Sequence, residues 1–183
     1  MPALRLPDPP LSDGGIVLRA WSVADVPALT VACQDAEIPR WTVVPSPYTE
    51  HDARDFIAGC AEDREAGREL ALAIVDREDT LLGAIGIGRF DWDDGRAEVG
   101  YWIAREARRR AVGARATRLL ARWALTELGL ERLELLANPE NEASQRLAER
   151  AGFTREGVLR RYRRRRGRRE DLVMFSLLAE DLR

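Results

Sequence analysis

The chain has 183 residues, 45% of them hydrophobic, and a formal net charge of −2. This length supports one hydrophobic core, and the lack of any apolar run of about 18 residues excludes a membrane-spanning helix. Cys33 and Cys60 fit neither a disulfide framework nor a metal site. Residues 1–14 lack the features of a signal peptide. We therefore expect a cytoplasmic protein without a bound metal, built as one domain over residues 1–183 with a Pro-rich lead-in at 1–14.

The charges are unevenly distributed along the chain. All 29 basic residues are arginine, and the net charge is −10 over residues 1–104 and +8 over residues 105–183. The densest run is "RRYRRRRGRRED" at 160–171. A basic half favours an anionic cofactor or nucleic acid, and an acidic half favours a cationic partner. Mutual attraction between the halves is the alternative that charge alone leaves open.

The first half of the chain predicts two helices and four strands. Ser22 is expected to cap a helix that runs to about Asp35, and the three prolines of residues 37–48 predict a loop. Thr49 with Asp52 forms the pattern of a capping box before a helix that ends near Gly67. Strands are predicted at 15–21, 69–75, 81–90 and 96–104. The sequence "GAIGIG" at 83–88 lies inside one of them, where small residues indicate close packing rather than a dinucleotide loop.

The second half predicts two helices and three strands. A helix begins near Gly113, since apolar residues recur from Ala116 to Ala124 at steps of three and four. A strand is expected at 132–137, and a second helix follows from about Asn141 to Ala151. A final hairpin joins 153–164 to 170–178, with Gly167 at its turn. This order of elements predicts an α+β domain around a mostly antiparallel sheet.

The stretch from 101 to 124 has the features of a phosphate site. The predicted helix start offers unpaired N–H groups and a partial positive charge, and small residues there let a ligand approach the backbone. Four arginines in the preceding loop add charge and donors: Arg105, Arg108, Arg109 and Arg110. The small residues are Ala111, Gly113 and Ala114. The alternative is a solvated basic loop before an ordinary helix.

Ser144 is the candidate polar group of the next helix. If Asn141 caps that helix, Ser144 shares its inward face with Leu147, Ala148 and Ala151. A hydroxyl directed toward the sheet needs a hydrogen-bond partner or a chemical role. A serine bonded back to the helix end is the alternative interpretation.

Together these segments resemble the GNAT superfamily of acyl-CoA-dependent N-acetyltransferases, and more narrowly its ribosomal-protein N-terminal acetyltransferases. The resemblance rests on "PRWTVVPSPYTEHDARDFI", "AEVGYWIA", "RRRAVGA", "NPENEASQRLAERAGF" and "EGVLRRYRRRRGRREDLVMFSLL". The family's phosphate loop, Arg/Gln-x-x-Gly-x-Gly/Ala, matches Arg108, Ala111 and Gly113. Ala111 stands where the pattern has glycine, and it fits only if its φ is ordinary.

The resemblance implies a mixed, mostly antiparallel sheet of about seven strands, flanked by about four helices, with a splayed central pair at 96–104 and 132–137. It implies acetyl-CoA as co-substrate and no metal. The pantetheine arm would lie between the splayed strands. The implied cofactor-binding residues are Trp102, Ile103, Arg105, Arg108, Arg109, Arg110, Ala111, Val112, Gly113, Ala114, Asn138, Asn141 and Ser144.

The resemblance also implies direct attack of an amine on the thioester. Backbone N–H groups near Trp102 and Ile103 would stabilise the oxyanion. Ser144 matches the position proposed to protonate or bind the departing thiolate. We expect Glu98 to act as the base that deprotonates the amine, with a surface strand carboxylate as the alternative. Relatives can carry a glutamate near Arg163, and no base can be transferred from them to this arginine-rich stretch.

The acceptor is expected to be a primary amine, either a protein N-terminus or a small molecule, bound by a monomer or a homodimer. The aromatic residues expected to bind it are Trp41, Tyr48, Phe90, Trp92 and Tyr101, with Asp91, Asp93 and Asp94 attracting its charge. Two alternatives stay open. A non-catalytic CoA-binding protein is suggested by Ala111, and a nucleic-acid-binding module by the arginine-rich hairpin.

Overall fold

The computed structural model describes residues 3–182, so residues 1, 2 and 183 of the expected domain lie outside the described residues. In chain order the strands are β1 (Leu11–Ser12), β2 (Val17–Arg19), β3 (Glu69–Val75), β4 (Leu81–Asp91), β5 (Arg96–Ile103), β6 (Arg132–Ala137), β7 (Thr154–Arg165) and β8 (Arg168–Leu178). The α-helices are α1 (Val26–Ala32), α2 (Glu37–Trp41), α3 (Glu50–Glu65), α4 (Val112–Thr126) and α5 (Glu142–Ala151).

The strands form one sheet in the order β1-β2-β3-β4-β5-β6-β8-β7. Neighbouring strands are antiparallel except β5 and β6, which are parallel. The β5–β6 ladder is short: it joins Arg96, Ala97 and Glu98 to residues 132–134 and then stops. Beyond Glu98 the two strands diverge, which opens a gap in the middle of the sheet. The α+β fold and its splayed central pair are therefore confirmed.

The helices cover both faces of the sheet. Ala97 and Val99 of β5 belong to the large buried cluster that includes Leu120 and Ala124 of α4. Trp102 packs instead against a second cluster that draws on α1 and α3. Because alternate residues of a strand point to opposite faces, α4 lies on one face and α1 and α3 on the other. The gap between β5 and β6 thus lies between two layers of helices.

Local sequence signals account for several of the helix ends. Thr49 accepts a hydrogen bond from the Asp52 N–H while Asp52 accepts one from the Thr49 N–H, so the expected capping box opens α3. Gly152 ends α5 with a φ of 100°. Ser22 caps a short 3₁₀ turn, Val23–Asp25, which leads into α1. The predicted helix from Ser22 is therefore present, and its α-helical part ends at Ala32.

Two segments are more ordered than predicted. The expected loop at 37–48 begins with the helix α2, since Asp35 accepts the Glu37 N–H and Pro39 lies in the first turn, where no helical N–H is needed. The expected lead-in packs on the domain: Leu4 is only 1% exposed, and Leu11 pairs with Leu18 of β2. These segments add the strand β1 and the helix α2 to the seven strands and four helices that were predicted.

The arginine-rich stretch forms the β7–β8 hairpin. Arg165 pairs with Arg168 across a two-residue turn, in which Arg166 has a φ of 47° and Gly167 a φ of 79°. Positive φ at both positions is the geometry of a type I′ turn, so the position predicted for Gly167 is confirmed. The run of arginines is therefore part of the folded sheet and not a loose tail.

Candidate active site

A cavity of about 630 Å³ lies where β5 and β6 diverge. We call it the active-site cavity. Its walls are the end of β5, the loop before α4, the first turns of α4 and α5, and α2. It brings together twelve residues predicted to act in the site: Trp41, Tyr101, Trp102, Ile103, Arg108, Arg109, Ala111, Val112, Gly113, Ala114, Asn141 and Ser144.

The N-terminus of α4 has free backbone donors. Ala111 provides no side-chain cap, and within the described chain the N–H groups of Val112, Gly113 and Ala114 have no acceptor. In contrast, the starts of α3 and α5 are capped by Thr49 and Asn141. Three free N–H groups at the positive end of a 15-residue helix fit a phosphate group.

The loop before α4 has two residues with left-handed backbone geometry. Ala111 has a φ of 58° and a ψ of 9°, and Arg109 has a φ of 62°. A side chain at such a position costs about 1–2 kcal/mol relative to ordinary backbone geometry. Ala111 therefore lacks the ordinary φ that alanine would need to fit this glycine position without strain.

Gly113 is required for a reason different from the one expected. A Cβ at this position would clash with Cδ1 of Leu147 and lie 3.3 Å from Cγ1 of Ile103. Its small size therefore allows α4 to pack against α5 and β5, whereas the sequence had suggested that it lets a ligand approach.

The four arginines of the loop have different surroundings. Arg108 donates from Nε to the Ile103 carbonyl oxygen at 3.1 Å and from a terminal nitrogen to Asp35. Its guanidinium therefore ties the phosphate loop to the turn before α2. Arg109 lines the active-site cavity, whereas Arg105 and Arg110 are exposed and lie outside it.

The two asparagines bond to the backbone near α5. The Asn138 side chain accepts the Glu140 N–H at 2.9 Å, and Asn138 does not line the cavity. The Asn141 side chain accepts the Ser144 N–H at 3.1 Å, which caps α5 and fixes the position of Ser144.

Tyr101 and Ser144 form the main side-chain contact of the cavity. The Tyr101 hydroxyl donates to Oγ of Ser144 at 2.8 Å. Burial raises the pKa of Tyr101 to about 12, partly offset by the hydrogen bond to Ser144. Tyr101 therefore remains protonated near neutral pH. Because Ser144 accepts this bond, its own proton is free to be donated into the cavity.

The backbone of β5 directs particular donors into the gap. The Ala104 N–H donates to the Leu82 carbonyl oxygen of β4 at 2.9 Å. Alternation along the strand therefore turns the N–H of Trp102 toward β4 and the N–H groups of Tyr101 and Ile103 toward the gap. The N–H groups of Trp102 and Ile103 were both expected to stabilise an oxyanion. Of the two, the Ile103 N–H points toward the gap.

Glu98 lies on the opposite face from Tyr101, three residues earlier in β5. Arg163 of β7 contacts both of its carboxylate oxygens, at 2.9 and 2.7 Å, and Arg89 lies 3.4 Å away. A bulge in β7 between Leu159 and Arg163 accompanies this contact across the sheet. Glu98 does not line the cavity, but it stands at the residue where the gap begins.

The structure separates the expected acceptor-binding aromatics. Trp41 and Tyr101 line the cavity, and the Trp41 ring lies under the Arg40 guanidinium at 4.5 Å. Tyr48 is 8% exposed and belongs to the cluster under α1 and α3. Phe90 and Trp92 stack on each other, with ring centroids 4.8 Å apart, and pack against the large cluster outside the cavity.

The acids near Phe90 also have a local role. Arg96 contacts Asp91 at 2.8 Å and Asp94 at 3.4 Å. These two aspartates therefore already have a cationic partner within the β4–β5 turn.

Sequence reasoning missed several residues of the cavity. Arg146 and Arg150 of α5 line it, and their spacing of four residues was a usable signal for one helix face. Glu37 and Ile38 line it from α2; neither was singled out, although residues 37–48 were expected to contribute to the acceptor side. Within residues 3–182 no cluster of three or more metal-ligating side chains occurs. None of the helices described is long and apolar enough to cross a membrane.

Comparisons with known proteins agree with this geometry. A family model described as an acetyltransferase (GNAT) domain matches residues 16–154. An uncharacterised N-acetyltransferase, p20 of Bacillus licheniformis, is 31% identical over 168 residues, which cover 91% of this chain and 94% of that protein.

Solved structures have the same fold. A proposed ribosomal-protein-serine acetyltransferase from Vibrio cholerae is 26% identical with a TM-score of 0.82, and the match covers 95% of this chain and 99% of that one. RimJ of Mycobacterium smegmatis, in complex with CoA-disulfide, is 23% identical with a TM-score of 0.83, covering 94% and 87%. The latter similarity concerns the fold alone.

Proposed function

Since the chain belongs to the GNAT acetyltransferase family, in the branch of the ribosomal-protein N-terminal acetyltransferases, and is an acyl-CoA-dependent N-acetyltransferase, we propose that it acetylates the α-amino group of a polypeptide N-terminus. In this proposal it acts as a single domain with acetyl-CoA as donor. A polypeptide acceptor is favoured over a small amine because the Vibrio cholerae relative is described as a ribosomal-protein acetyltransferase. α2 contributes Glu37, Ile38 and Trp41 to the wall of the same cavity.

The residues at the start of α4 fit the phosphates of the donor. The free N–H groups of Val112, Gly113 and Ala114 would bind the pyrophosphate, and Arg109 and Arg146 add positive charge at the rim. The remaining part of the donor would follow the gap toward Ile103. When bound there, acetyl-CoA supplies the thioester whose acetyl group is transferred.

The residues around the gap divide the chemistry between the two faces of the sheet. The Ile103 N–H donates to the carbonyl oxygen as it gains negative charge. Ser144 donates its proton to the departing sulfur and regains one from the attacking nitrogen, which must lose a second proton to become an amide, while Tyr101 holds the Ser144 oxygen in place. Glu98, on the other face, takes the proton that the acceptor ammonium must lose, through a water molecule. Arg163 positions its carboxylate.

The hydrogen bond from Tyr101 to Ser144 is the observation that carries this proposal. It places a proton donor beside the end of β5, within one cavity with the free N–H groups of α4. A serine that only capped its own helix would not require a partly buried phenol as donor. This geometry supports direct transfer with an acid at the sulfur.

Thiol release from acetyl-CoA, measured over a panel of amines, tests the proposal. We expect turnover with peptides that have a free N-terminus, and none with the same peptides acetylated at the N-terminus. Polyamines, aminoglycosides and free amino acids should be acetylated at least about tenfold more slowly in kcat/KM. Calorimetry should show acetyl-CoA binding. A protein that binds no acetyl-CoA at millimolar levels, or that acetylates only small amines, would contradict the proposal.

A further inference from the structure

A second cavity lies on the other side of α2 from the active site. It has a volume of about 450 Å³ and opens between α2 and the tip of the β7–β8 hairpin. Four arginines line it, and we call it the arginine cleft: Arg40, Arg165, Arg166 and Arg168. Glu170 is the one carboxylate in its lining.

The charges of the arginine cleft do not balance. Glu170 is already paired with Arg165, with two contacts of 2.9 Å. Arg40 contacts Glu37 at 3.2 Å, in an exposed pair of little strength. In the part of the chain that the structure describes, no carboxylate lies within ion-pair distance of Arg166 or Arg168. The cleft therefore has an excess of positive charge and unused N–H donors.

The hairpin tip holds part of this charge in a fixed position. Arg166 donates to the Pro39 carbonyl oxygen at 2.8 Å, and Arg165 donates to the Arg40 carbonyl oxygen. These bonds attach the tip to α2 and use only some of the donors of each guanidinium. A guanidinium that is already immobilised loses less entropy when it binds an anion.

α2 separates the cleft from the active-site cavity. Glu37, Ile38 and Trp41 face the cavity, whereas Pro39 and Arg40 face the cleft. A helix with its side chains is about 10–12 Å across. An extended peptide advances about 3.3 Å per residue, so a chain with its amine in the cavity reaches the cleft about three to five residues later.

We propose that the arginine cleft binds the carboxylates of an acidic segment of the acceptor polypeptide, about three to five residues after the acetylated amine. This inference rests on the proposed function and names the class of acceptor. A nucleic acid is the less suitable ligand. None of the residues lining the cleft is aromatic, so stacking of bases is not provided for.

The test compares two peptides that differ only at the third to fifth residues, Asp and Glu in one and Asn and Gln in the other. For the wild type we expect kcat/KM to favour the acidic peptide about tenfold at low ionic strength, which corresponds to about 1.4 kcal/mol. The preference should fall as salt is added. The double variant Arg166→Gln/Arg168→Gln should reduce it to less than about twofold.

Two further variants separate a binding role from a structural one. Arg168→Gln alone removes a guanidinium that makes no hydrogen bond in the described chain, and it should reduce the preference about threefold without loss of melting temperature. Arg122→Gln/Arg155→Gln removes the same charge from exposed positions outside the cleft. That control should keep the wild-type preference.

Binding of both peptides to the CoA-loaded protein, measured by fluorescence anisotropy, separates this inference from the proposed function. Selective binding of the acidic peptide without turnover would support the cleft and contradict N-terminal acetylation. Equal acetylation of both peptides, or equal binding of both, would overturn the inference that the arginine cleft binds acidic segments. The proposed function would then be decided by turnover alone. Displacement of the acidic peptide by a tighter-binding single-stranded RNA oligonucleotide would also overturn it.

Discussion

The Tyr101 hydroxyl donates a 2.8 Å hydrogen bond to the Ser144 hydroxyl, which joins β5 to α5 at the gap in the sheet. This direction of donation leaves the Ser144 proton available to the cavity. Ser144→Ala should therefore lower kcat about 10²-fold and change acetyl-CoA affinity less than about twofold. Tyr101→Phe should lower kcat less, by about tenfold, because Ser144 keeps its proton. Steady-state kinetics with calorimetry checks this, and a Ser144→Ala enzyme with wild-type kcat would exclude the acid role.

The left-handed geometry of Ala111 leads to a test of the phosphate loop. Glycine adopts a φ of 58° without steric cost, although it also makes the unfolded chain more flexible. Ala111→Gly should leave the free energy of unfolding unchanged or raise it by up to about 1 kcal/mol, with acetyl-CoA affinity at least as high.

Ala58→Gly is the matched control for this substitution. Ala58 is exposed in the middle of α3, where glycine should lower the free energy of unfolding by about 1 kcal/mol. Urea unfolding measures both variants. If Ala111→Gly destabilised the protein as much as Ala58→Gly, Ala111 would not be strained.

Arg108 and Asp35 should behave as a coupled pair. Each partner is at least partly buried, so removing one leaves the other charge without a partner. Arg108→Gln and Asp35→Asn should each lower the free energy of unfolding by about 1–3 kcal/mol, and the double variant by little more than either one. Additive losses in this double-mutant cycle would show that the two residues act independently.

Glu98 can be tested against a neighbour in nearly the same surroundings. Glu98 pairs directly with Glu134 on β6, their side chains are 17% and 14% exposed, and each contacts two arginines. Glu98→Gln should lower kcat/KM about 10²-fold, whereas Glu134→Gln should change kcat/KM less than about twofold. Equal effects of both substitutions would show that Glu98 has only a structural role.

The contact between Asp13 and Arg115 predicts a specific dependence of stability on pH. The Arg115 hydrogen bond, opposed by burial and assisted by the Gly15 and Ile16 N–H groups, lowers the pKa of Asp13 from 3.8 to about 2. Because the folded-state pKa is the lower one, the stabilisation is full above pH 3.8 and is lost as the pH falls toward about 2.

Asp13→Asn should therefore lower the free energy of unfolding by about 0.5–1 kcal/mol near neutral pH, because solvent screens this exposed pair, and by almost nothing near pH 2. Asp93→Asn, which removes an exposed carboxylate from the β4–β5 turn, serves as the control and should have little effect at either pH. Urea unfolding over the acid range measures both. A constant difference between Asp13→Asn and the wild type at all pH values would contradict the shift.

Much of the fold could be predicted from short stretches. Thr49 and Asp52 form a capping box through bonds between residues three apart, and Gly152 and Gly167 occupy positions that need positive φ. The loop before α4 could also be predicted from its arginines and small residues, and its binding of phosphate stays a prediction. α2 could not be predicted, because the local effect of Pro39 depends on whether it falls in the first turn of a helix.

The sequence by itself determined the order of the elements, their turns and the placement of the loop before α4, because these depend on hydrogen bonds and backbone preferences among near neighbours. The tertiary structure decided which distant side chains meet. Asp35 contacts Arg108, Glu98 contacts Arg163, and Tyr101 contacts Ser144, over separations of 73, 65 and 43 residues. Such partners depend on how the helices pack and where β5 leaves β6, and short-range patterns do not contain this information.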